Sequence, residues 1–561
     1  MGGLVIRGRG WASLLALALL AGCAQAPLPT SPSSPPGVVA SDTNPRDRDA
    51  VSDNGELRLA VGSWADTWNP LSVEGSGQDQ DRVREPMTAR FFTVAKDGSV
   101  THDPSWLSQQ PTVTTDQQTV VTFHLNPQAT WNDGSPITVR DFEATVAACN
   151  GSHPDFQCAT TEGWDQVEKV TPGASAQDVV VTFKQPYPDW AGLWQRGPLR
   201  AESVADAATF NTGWSALEST NGYFSGPFLV GSVDATSRMV TLVPNPRWWG
   251  PKPKLAKISF RFVPVEAQAQ AYINNEIDAF EIGVSTDQLS RARQATTGEV
   301  RKAAGTTWRQ ITVNRQSGLL QEKPVRQAVL LALDRDDILA SDLAGLGYSP
   351  GVLSHHVFLG TQKQYQNLAQ QTGLGYNVDR ARKVLDDAGW VVGDDGYRSR
   401  DGKPLQIVFT QITGIKVSEN EALKIQSQLK KVGIKVVVAE FSQSDWASQV
   451  TARSFEMVAF SSTGSAFPYR TLADSFSSQS ATNLSGYSDP QVDELVGKIA
   501  VEMDPLRRDE YVLEAEKLIW DDVAVIPLYQ RPDMWAVNAK VANFGAFGLA
   551  TPVWEDVGLA K

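Results

Sequence analysis

The sequence is poor in the side chains on which most catalytic and metal sites depend. Its 561 residues include three cysteines, five histidines and six methionines. It has no H-E-x-x-H motif, no P-loop and no Rossmann glycine fingerprint, the signatures of metalloprotease, nucleotide and dinucleotide sites. The adjacent pair His355-His356 has no cysteine or acid cluster beside it in the sequence to complete a metal site. We therefore expect no enzymatic activity, no metal and no cofactor.

Clusters of positive charge are absent as well. The formal net charge is -13, and no run of Lys and Arg offers the basic surface that a phosphate backbone requires. This composition excludes a nucleic-acid partner. A chain of 561 residues, of which 41% are hydrophobic, is also too long for one compact core, so we expect two or more lobes.

A short hydrophobic run stands near the N-terminus. Two arginines precede an uncharged stretch over residues 11–21, which is too short to span a bilayer. The stretch ends in residues 20–23 (LAGC), which resemble a bacterial lipobox. The resemblance implies that residues 1–22 are a signal peptide and that Cys23 becomes a lipidated N-terminus, whose acyl chains anchor the protein stably. The alternative is an ordinary secretory signal with a coincidental cysteine.

The segment that follows the lipobox has the composition of a linker. Residues 23–54 are rich in Pro, Ser, Asp and small residues and show no apolar periodicity. Such a composition predicts a flexible tether. The tether would hold the folded body above the membrane, within reach of a permease.

Two cysteines remain in the folded part, Cys149 and Cys158. An exported protein folds in an oxidising compartment, and two cysteines allow one intramolecular pairing, so we expect a disulfide. A metal site is the alternative. It fails because His153, which lies between the cysteines, leaves the ligand set incomplete.

Alternating helical and strand patterns indicate α/β lobes. Residues 55–61 alternate as a strand. Apolar residues recur at helical spacing between residues 422 and 432, Gly433 ends that pattern, and residues 434–438 follow as a strand. Units of this kind predict sheets that are covered by helices.

Several short stretches match, in order, elements of one protein family. The most specific is residues 121–125 (VTFHL), followed by residues 131–138 (WNDGSPIT) and Asp141-Phe142. The others are residues 221–228, 245–249, 273–278, 324–328, 486–493 and 526–529. Together they resemble family 5 of the bacterial extracellular solute-binding proteins, the oligopeptide- and dipeptide-binding lipoproteins of ABC importers, and most closely those of actinobacteria.

The resemblance implies an α/β, two-lobed periplasmic-binding-protein-like fold of type II (cluster C), with an extra inserted domain and a ligand cleft between the lobes. By analogy, lobe I comprises residues 55–94, 196–306 and 525–561. The inserted domain comprises residues 95–195, and lobe II comprises residues 307–524. The function implied is capture of an extracellular peptide or peptide-like ligand at the outer face of the cell membrane, by a monomer that delivers it to an ABC permease.

The family's ammonium site is altered in this chain. In family members that take peptides, an Asp in a "W..D" element after a strand of the second lobe meets the ligand's free amino group. Here Ser462 stands at the Trp position and Ser465 at the Asp position, and Ser461 and Phe467 belong to the same stretch. A hydroxyl accepts a hydrogen bond from an ammonium but does not neutralise it. Glu74 is a possible substitute, although a solvated loop acid is the simpler interpretation.

Other candidate ligand contacts follow from position. The first strand is followed by Trp64, Asp66 and Trp68, in loops that an α/β sheet exposes to a cleft. Trp308 and Asn314 lie near the expected crossover into the second lobe, and Tyr529 and Arg531 near the return crossover. Arg531 is suited to a bidentate contact with a ligand carboxylate. Packing in the core or hinge is the alternative for each aromatic residue.

Two alternatives to peptide import remain open from the sequence. A family-like lipoprotein could bind a glycolipid, a sugar or a metal chelate, or act as a sensor or scaffold in the envelope. The altered "W..D" element is the feature that keeps these alternatives open.

Overall fold

The computed structural model describes Pro35 and residues 37–561. The expected signal peptide and the lipidation site Cys23 lie outside these described residues. The strands are β1 Val51–Ser52, β2 Gly55–Val61, β3 Phe92–Val94, β4 Val100–His102, β5 Thr112–Thr115, β6 Thr119–His124, β7 Val167–Pro172, β8 Asp178–Phe183, β9 Phe228–Asp234, β10 Met239–Pro244, β11 Leu255–Phe262, β12 Ala279–Glu281, β13 Gly298–Val313, β14 Val391–Val392, β15 Arg398–Arg400, β16 Lys403–Pro404, β17 Gln406–Ile412, β18 Lys435–Phe441, β19 Met457–Thr463, β20 Val525–Asn538, β21 Val541–Ala542 and β22 Gly558–Ala560.

The α-helices are α1 Gln78–Arg84, α2 Val139–Cys149, α3 Trp190–Leu193, α4 Ala207–Thr212, α5 Val265–Ile273, α6 Thr286–Ala292, α7 Lys323–Ala332, α8 Arg335–Asp342, α9 Leu368–Gln371, α10 Val378–Asp387, α11 Lys416–Lys430, α12 Trp446–Thr451, α13 Arg470–Phe476, α14 Pro490–Val501 and α15 Pro505–Asp522. Within the part of the chain that the structure describes, none of these helices is long and apolar enough to cross a bilayer.

One ten-stranded mixed sheet runs through both halves of the body. Its order is β18-β17-β19-β13-β20-β12-β2-β11-β10-β9, with the long antiparallel pair β13 and β20 at the centre. We call the five strands on the β20 side of the sheet (β12, β2, β11, β10 and β9), with their helices, the first lobe. The three strands on the β13 side (β19, β17 and β18), with their helices, are the second lobe. The two lobes are therefore joined through β13 and β20.

The ladder between β13 and β20 is interrupted near its middle. Ala304 pairs with Pro532 and Trp308 pairs with Gln530, so residues 305–307 oppose the single residue Arg531. We call residues 305–307 and 530–532 the hinge. A bulge of this kind breaks the regular hydrogen bonding and lets the strands bend at this point.

The two faces of the sheet differ at the centre. Phe280 pairs with Ala536 on one face, and both belong to a buried core that continues into helices of the second lobe, where Leu331 is fully buried. Glu281 pairs with Trp535 on the opposite face. Because strand side chains alternate, one face carries a continuous apolar core while the other presents polar and aromatic groups to the cavities described below.

A separate four-stranded sheet lies within residues 95–195, the range expected for the inserted domain, and we keep that name for this part of the chain. Its four strands are ordered β5-β6-β8-β7, and α2 packs against them over Phe123, Phe142 and Trp194. At the start of α2 the backbone N–H of Thr138 donates to the Asp141 carboxylate at 2.8 Å, which closes a capping box. The family-like stretch at residues 131–142 thus fixes the entry into this helix.

The N-terminal segment packs on the body over much of the expected tether. Ala304 N donates to Val39 O at 2.7 Å, and Lys302 N donates to the Asp42 carboxylate at 3.0 Å. Val51 is fully buried in β1, which pairs with β22. The flexible tether therefore does not extend through residue 54. Composition misled here because these contacts depend on distant partners in β13 and β22, which the composition of the segment does not report.

Candidate ligand-binding cleft

Three cavities lie at the junctions between the hinge, the first lobe, the inserted domain and the second lobe. The hinge cavity, of about 410 Å³, lies beside the hinge on the polar face of the sheet. The middle cavity, of about 410 Å³, lies between the first lobe and the inserted domain. The outer cavity, of about 280 Å³, lies between the inserted domain and the second lobe. The middle and outer cavities share walls at Glu162, Gly192, Leu193 and Arg470.

The walls of the hinge cavity come from the alternation of β20. Arg531, Asp533 and Trp535 line it from successive positions on one face of that strand. Glu281 of β12 lines it next to Trp535, and Arg82 of α1 forms an ion pair with Glu281. The C-terminal segment closes the cavity with aromatic side chains, which are Phe544, Phe547 and Trp554.

The charged groups of the hinge cavity are unevenly paired. Arg531 donates from Nη1 to the Ser461 hydroxyl at 3.3 Å, and burial lowers the pKa of its guanidinium. The Asp533 carboxylate accepts hydrogen bonds from Trp535 Nε1 at 2.8 Å and from Gly548 N at 3.0 Å. Burial raises the pKa of Asp533 to about 6. This cavity therefore offers hydrogen-bonding groups of both signs to a guest.

The middle cavity is mainly aromatic. Its apolar walls include Trp131, Trp164, Trp214, Tyr223 and Phe224. Arg196 also lines it and forms an ion pair with Asp81 at 3.0 Å, next to the end of α1 that borders the hinge cavity. The end of α1 thus separates the two cavities, and charged groups mark the boundary.

The outer cavity is where the second lobe meets the inserted domain. Arg508 of α15 donates to both oxygens of Asp189 at 2.7 Å. Arg470 of α13 forms a second ion pair across the gap, with Glu162. A Cβ added to Gly192 would lie 3.1 Å from the Phe467 ring, so the two surfaces are in close contact here. The structure therefore shows the lobes closed on each other.

In the loop after the first strand, Pro70 and Leu71 line the middle cavity, whereas the four predicted contacts of that loop line none of the three cavities. Trp64 and Trp68 pack edge to face with ring centroids 6.3 Å apart, and Trp68 is buried in the first-lobe core. Asp66 and Glu74 are exposed, and neither lines the hinge, middle or outer cavity. The first-strand aromatics take the packing role that the sequence left as the alternative.

Three further candidates lie in the core of the second lobe. Trp308 is 3% exposed and donates to Gln310 Oε1 at 2.9 Å. Asn314 donates to the backbone oxygens of residues 453 and 455 at 3.0 and 2.8 Å. Tyr529 is buried, and its hydroxyl donates to Asp342 at 3.1 Å. The polar groups of these side chains bond to partners within the protein, and none of the three residues lines a cavity. Their place in the structure thus differs from the expectation based on position along the chain.

The serine stretch after β19 is divided between different surroundings. Ser461 contacts Arg531 at the hinge cavity, and Phe467 lines the outer cavity. Ser462 pairs with Trp308 in the ladder between β19 and β13. Ser465 is exposed, and its hydroxyl accepts from Phe467 N at 3.1 Å. The structure thus brings Ser461 and Arg531 together and leaves Ser465 outside the cavities.

The remaining cysteines are paired as expected. Cys149 at the end of α2 and Cys158 form a disulfide with Cα atoms 5.6 Å apart. Cys149 is almost fully buried in the core of the inserted domain. The bond therefore ties the loop after α2 to that core.

Residues that resemble catalytic or metal motifs have structural roles. Residues 347–351 (GYSPG) have the spacing of a hydrolase nucleophile elbow, but they lie in an irregular loop and not in a strand–turn–helix. His355 and His356 are both buried against Glu516, with Nδ1 to carboxylate distances of 3.1 and 2.9 Å. Over Pro35 and residues 37–561, no group of three or more His, Cys, Asp or Glu is arranged to hold a metal ion.

Sequence reasoning missed Glu85 and Asp533, which line the hinge cavity with Arg531. A signal for Asp533 was present, because Arg531, Asp533 and Trp535 alternate within a strand and so share one face. Glu85 has no such signal. It reaches the cavity because α1 packs across the ends of other strands.

Comparison with known proteins agrees with this architecture. The sequence profile described as bacterial extracellular solute-binding proteins, family 5 middle, matches residues 104–483. The oligopeptide-binding protein OppA of Mycobacterium tuberculosis is 32% identical over 526 residues, which cover 93% of this chain and 87% of that protein.

Two solved structures share the fold. The periplasmic EDTA-binding protein EppA has a TM-score of 0.80 at 23% identity, over 93% of this chain and 98% of that one. Lactococcal OppA, complexed with an endogenous peptide in the closed conformation, has a TM-score of 0.66 at 20% identity, over 90% of this chain and 100% of that one. The two-lobed α/β fold expected from the sequence is thereby confirmed. The chain belongs to the bacterial extracellular solute-binding proteins of family 5.

Proposed function

We propose that this protein is the substrate-binding lipoprotein of an ABC importer, which captures an extracellular peptide or peptide-like molecule between its lobes and delivers it to a permease. The observation that carries the proposal is the set of three cavities from the hinge to the contact between the inserted domain and the second lobe, where ion pairs join the two parts. A site of this form encloses a guest and releases it unchanged when the lobes part.

Lobe closure follows from the two faces of the sheet. The continuous apolar core on one face resists separation and acts as the pivot. The opposite side is held by two ion pairs, the exposed pair of Arg470 with Glu162 and the more shielded pair of Arg508 with Asp189, and water solvates these charged groups when the lobes open. A ligand that contacts both lobes selects the closed form, and the permease binds that form.

The cavities suit an extended molecule with both polar and apolar parts. Each of the two larger cavities falls within the usual size range of ligand pockets, about 300–1,000 Å³. The hinge cavity supplies charged groups and the middle cavity supplies aromatic walls, so a peptide can place backbone ends and side chains in these cavities. The Mycobacterium tuberculosis relative is named as oligopeptide-binding, which supports the same class.

A polyanionic chelate is the second candidate, because EppA is described as EDTA-binding. The lining of the hinge cavity argues against a chelate, because Glu85 and Asp533 present carboxyl groups without a cationic partner. Like charges in a partly enclosed site repel such a guest. We therefore favour a peptide over a chelate.

The membrane attachment rests on Cys23, which lies outside the described residues. Lipidation of Cys23 would anchor a monomeric protein to the outer face of the cell membrane, next to its permease. Replacing Cys23 with Ser should move the protein from the membrane fraction to the soluble extracytoplasmic fraction. Continued membrane association of the Ser variant would contradict lipid anchoring.

Native mass spectrometry of the freshly purified protein tests the ligand class. We expect peptides to be released on denaturation, and we expect small-angle scattering to show a smaller radius of gyration after a peptide library is added to the emptied protein. A protein that carries no peptide, binds none from the library and keeps its radius unchanged would overturn the proposal.

A further inference from the structure

Two carboxyl groups line the hinge cavity without a cationic partner. Asp533 accepts hydrogen bonds from the indole of Trp535 and from Gly548 N, at 2.8 and 3.0 Å. Glu85 accepts from the indole of Trp554 at 3.2 Å. Among the described residues, no Lys or Arg nitrogen lies within 4.0 Å of either carboxyl group. By contrast, Glu281 in the same cavity is paired with Arg82.

The walls between these carboxyl groups are aromatic. The Trp535 and Phe544 ring centroids are 5.3 Å apart, and Phe544 lies 5.8 Å from both Phe547 and Trp554. The indole N–H groups hold the carboxyl groups in place, while the aromatic faces favour a cation over an anion. A partly enclosed site with unpaired acids and aromatic walls is complementary to a positive charge.

We propose that the hinge cavity is an ammonium subsite, in which the Asp533 carboxyl group receives an R–NH3+ group of the captured molecule and Glu85 adds a second acidic group to the same cavity. This inference rests on the proposed function and goes beyond it, because it names the group that the cleft recognises. The proposed subsite lies in the first lobe, whereas the Asp of other peptide-binding family members lies in the second lobe, at the position where this chain has the exposed Ser465. An ammonium has three N–H donors, which suits two carboxyl groups that each retain free acceptor capacity.

Charged neighbours determine how this subsite responds to pH. Arg82 and Glu281 face Asp533 from α1 and β12, and Arg531 precedes it on the same strand face. Burial raises the pKa of Asp533 to about 6, so the group is about half protonated near pH 6 in the empty cavity. An arriving ammonium favours the charged form and displaces that proton.

Glu85 has a separate set of neighbours. Burial raises the pKa of Glu85, while Arg196 on the side of the middle cavity lowers it and Asp81 raises it. Arg90 lies farther along the same segment and also lowers it. Binding of an ammonium near pH 6 should therefore release protons, chiefly from Asp533, and affinity should rise as the pH is raised through 6.

Three random peptide libraries test the source of the cation. The first has free amino termini and no Lys, the second is N-acetylated without Lys, and the third is N-acetylated with one Lys per peptide. We expect the full-length protein, purified in detergent and emptied of cargo, to bind the second library at least about tenfold more weakly than the first. Retained binding of the third library would assign the subsite to a Lys side chain, and loss would assign it to the amino terminus.

Isosteric variants identify the residues. Combined Asp533→Asn and Glu85→Gln should reduce the preference for the first library over the second to less than about threefold. Glu74→Gln, an exposed loop acid, is the matched control and should keep the full preference, and Ser465→Asp should leave it unchanged. Calorimetry at pH 6 in two buffers of different ionisation enthalpy should show proton release for the unmodified protein and much less for Asp533→Asn.

Different results would contradict the ammonium subsite and the proposed function. Equal binding of free and acetylated libraries, or an unchanged preference in the folded Asn and Gln variant, overturns the ammonium subsite alone. A stronger preference in Ser465→Asp would also contradict it, because the amino group would then lie at the second lobe. Absence of binding by any library overturns the proposed function and this inference with it.

Discussion

The ion pair between Asp189 and Arg508 should control how tightly the closed form holds its ligand. Arg508 donates to both Asp189 oxygens at 2.7 Å, and the two side chains are 6% and 21% exposed. Asp189 belongs to the inserted domain and Arg508 to the second lobe, so this pair exists only when the lobes are closed. Replacing Asp189 with Asn removes the charge and one acceptor but little volume.

The magnitude follows from this geometry. Hydrogen bonds to charged groups contribute about 1.5–3 kcal/mol net when they are shielded from water. Losing that amount from the closed form should raise the Kd by roughly 10- to 150-fold, since each 1.4 kcal/mol is tenfold. The second lobe should stay folded, because Arg508 keeps its bond from Nε to Ile499 O at 2.9 Å and its stacking on Tyr469 at 3.9 Å.

The assay compares Asp189→Asn with the unmodified protein for a peptide identified as cargo. Surface plasmon resonance should show a faster dissociation rate with a similar association rate. Glu494→Gln is the matched control, because Glu494 pairs with Lys498 on an exposed helix face within one lobe. It should change neither rate. Unchanged dissociation in Asp189→Asn, with the same radius of gyration when liganded, would refute the closure argument.

Three further predictions concern stability. Replacing Cys149 and Cys158 by Ser should lower the free energy of unfolding by about 2–3 kcal/mol, as chain entropy predicts for a loop of this length, and calorimetry under oxidising conditions measures the change. Deleting residues 24–44 should lower Tm because the contacts of residues 39 and 42 with β13 are lost, and an unchanged Tm would contradict the packing of this segment. Burial and the neighbouring Glu421 raise the pKa of Asp342, so the stabilising effect of its protonated form is present at low pH and is lost as the pH rises. Asp342→Asn should therefore flatten the dependence of Tm on pH between 5 and 9. An unaltered dependence would argue against Asp342 as its origin.

Local pattern accounts for much of what sequence reasoning predicted. The strand at residues 55–61 is confirmed as β2, and the pattern between residues 422 and 438 is confirmed as α11, Gly433 and β18. The pairing of Cys149 with Cys158 needed only compartment and count. The fold class followed from the resemblance that short motifs carry, such as residues 131–138, which the structure shows to lead into α2. Such features depend on neighbours in the chain, and a sequence reports those directly.

Long-range packing decided which side chains reach the cleft. Proximity to a crossover suggested Trp308 and Tyr529, yet their partners Gln310 and Asp342 hold them in the core. Arg531 was anticipated, but its contact with Ser461 reaches across β13, which lies between β19 and β20. The contact lies where three residues of β13 oppose the single residue Arg531 in the ladder with β20.

By itself, the sequence determined the family through short ordered motifs, the two-lobed α/β fold through the resemblance that these motifs carry, and the disulfide through compartment and cysteine number. The tertiary structure alone decided that Glu85 and Asp533 share a cavity. These residues are separated by most of the chain and belong to different elements, α1's end and β20, and their meeting depends on how those elements pack. Charge complementarity in a cleft is a property of that packing, which no short stretch of sequence encodes.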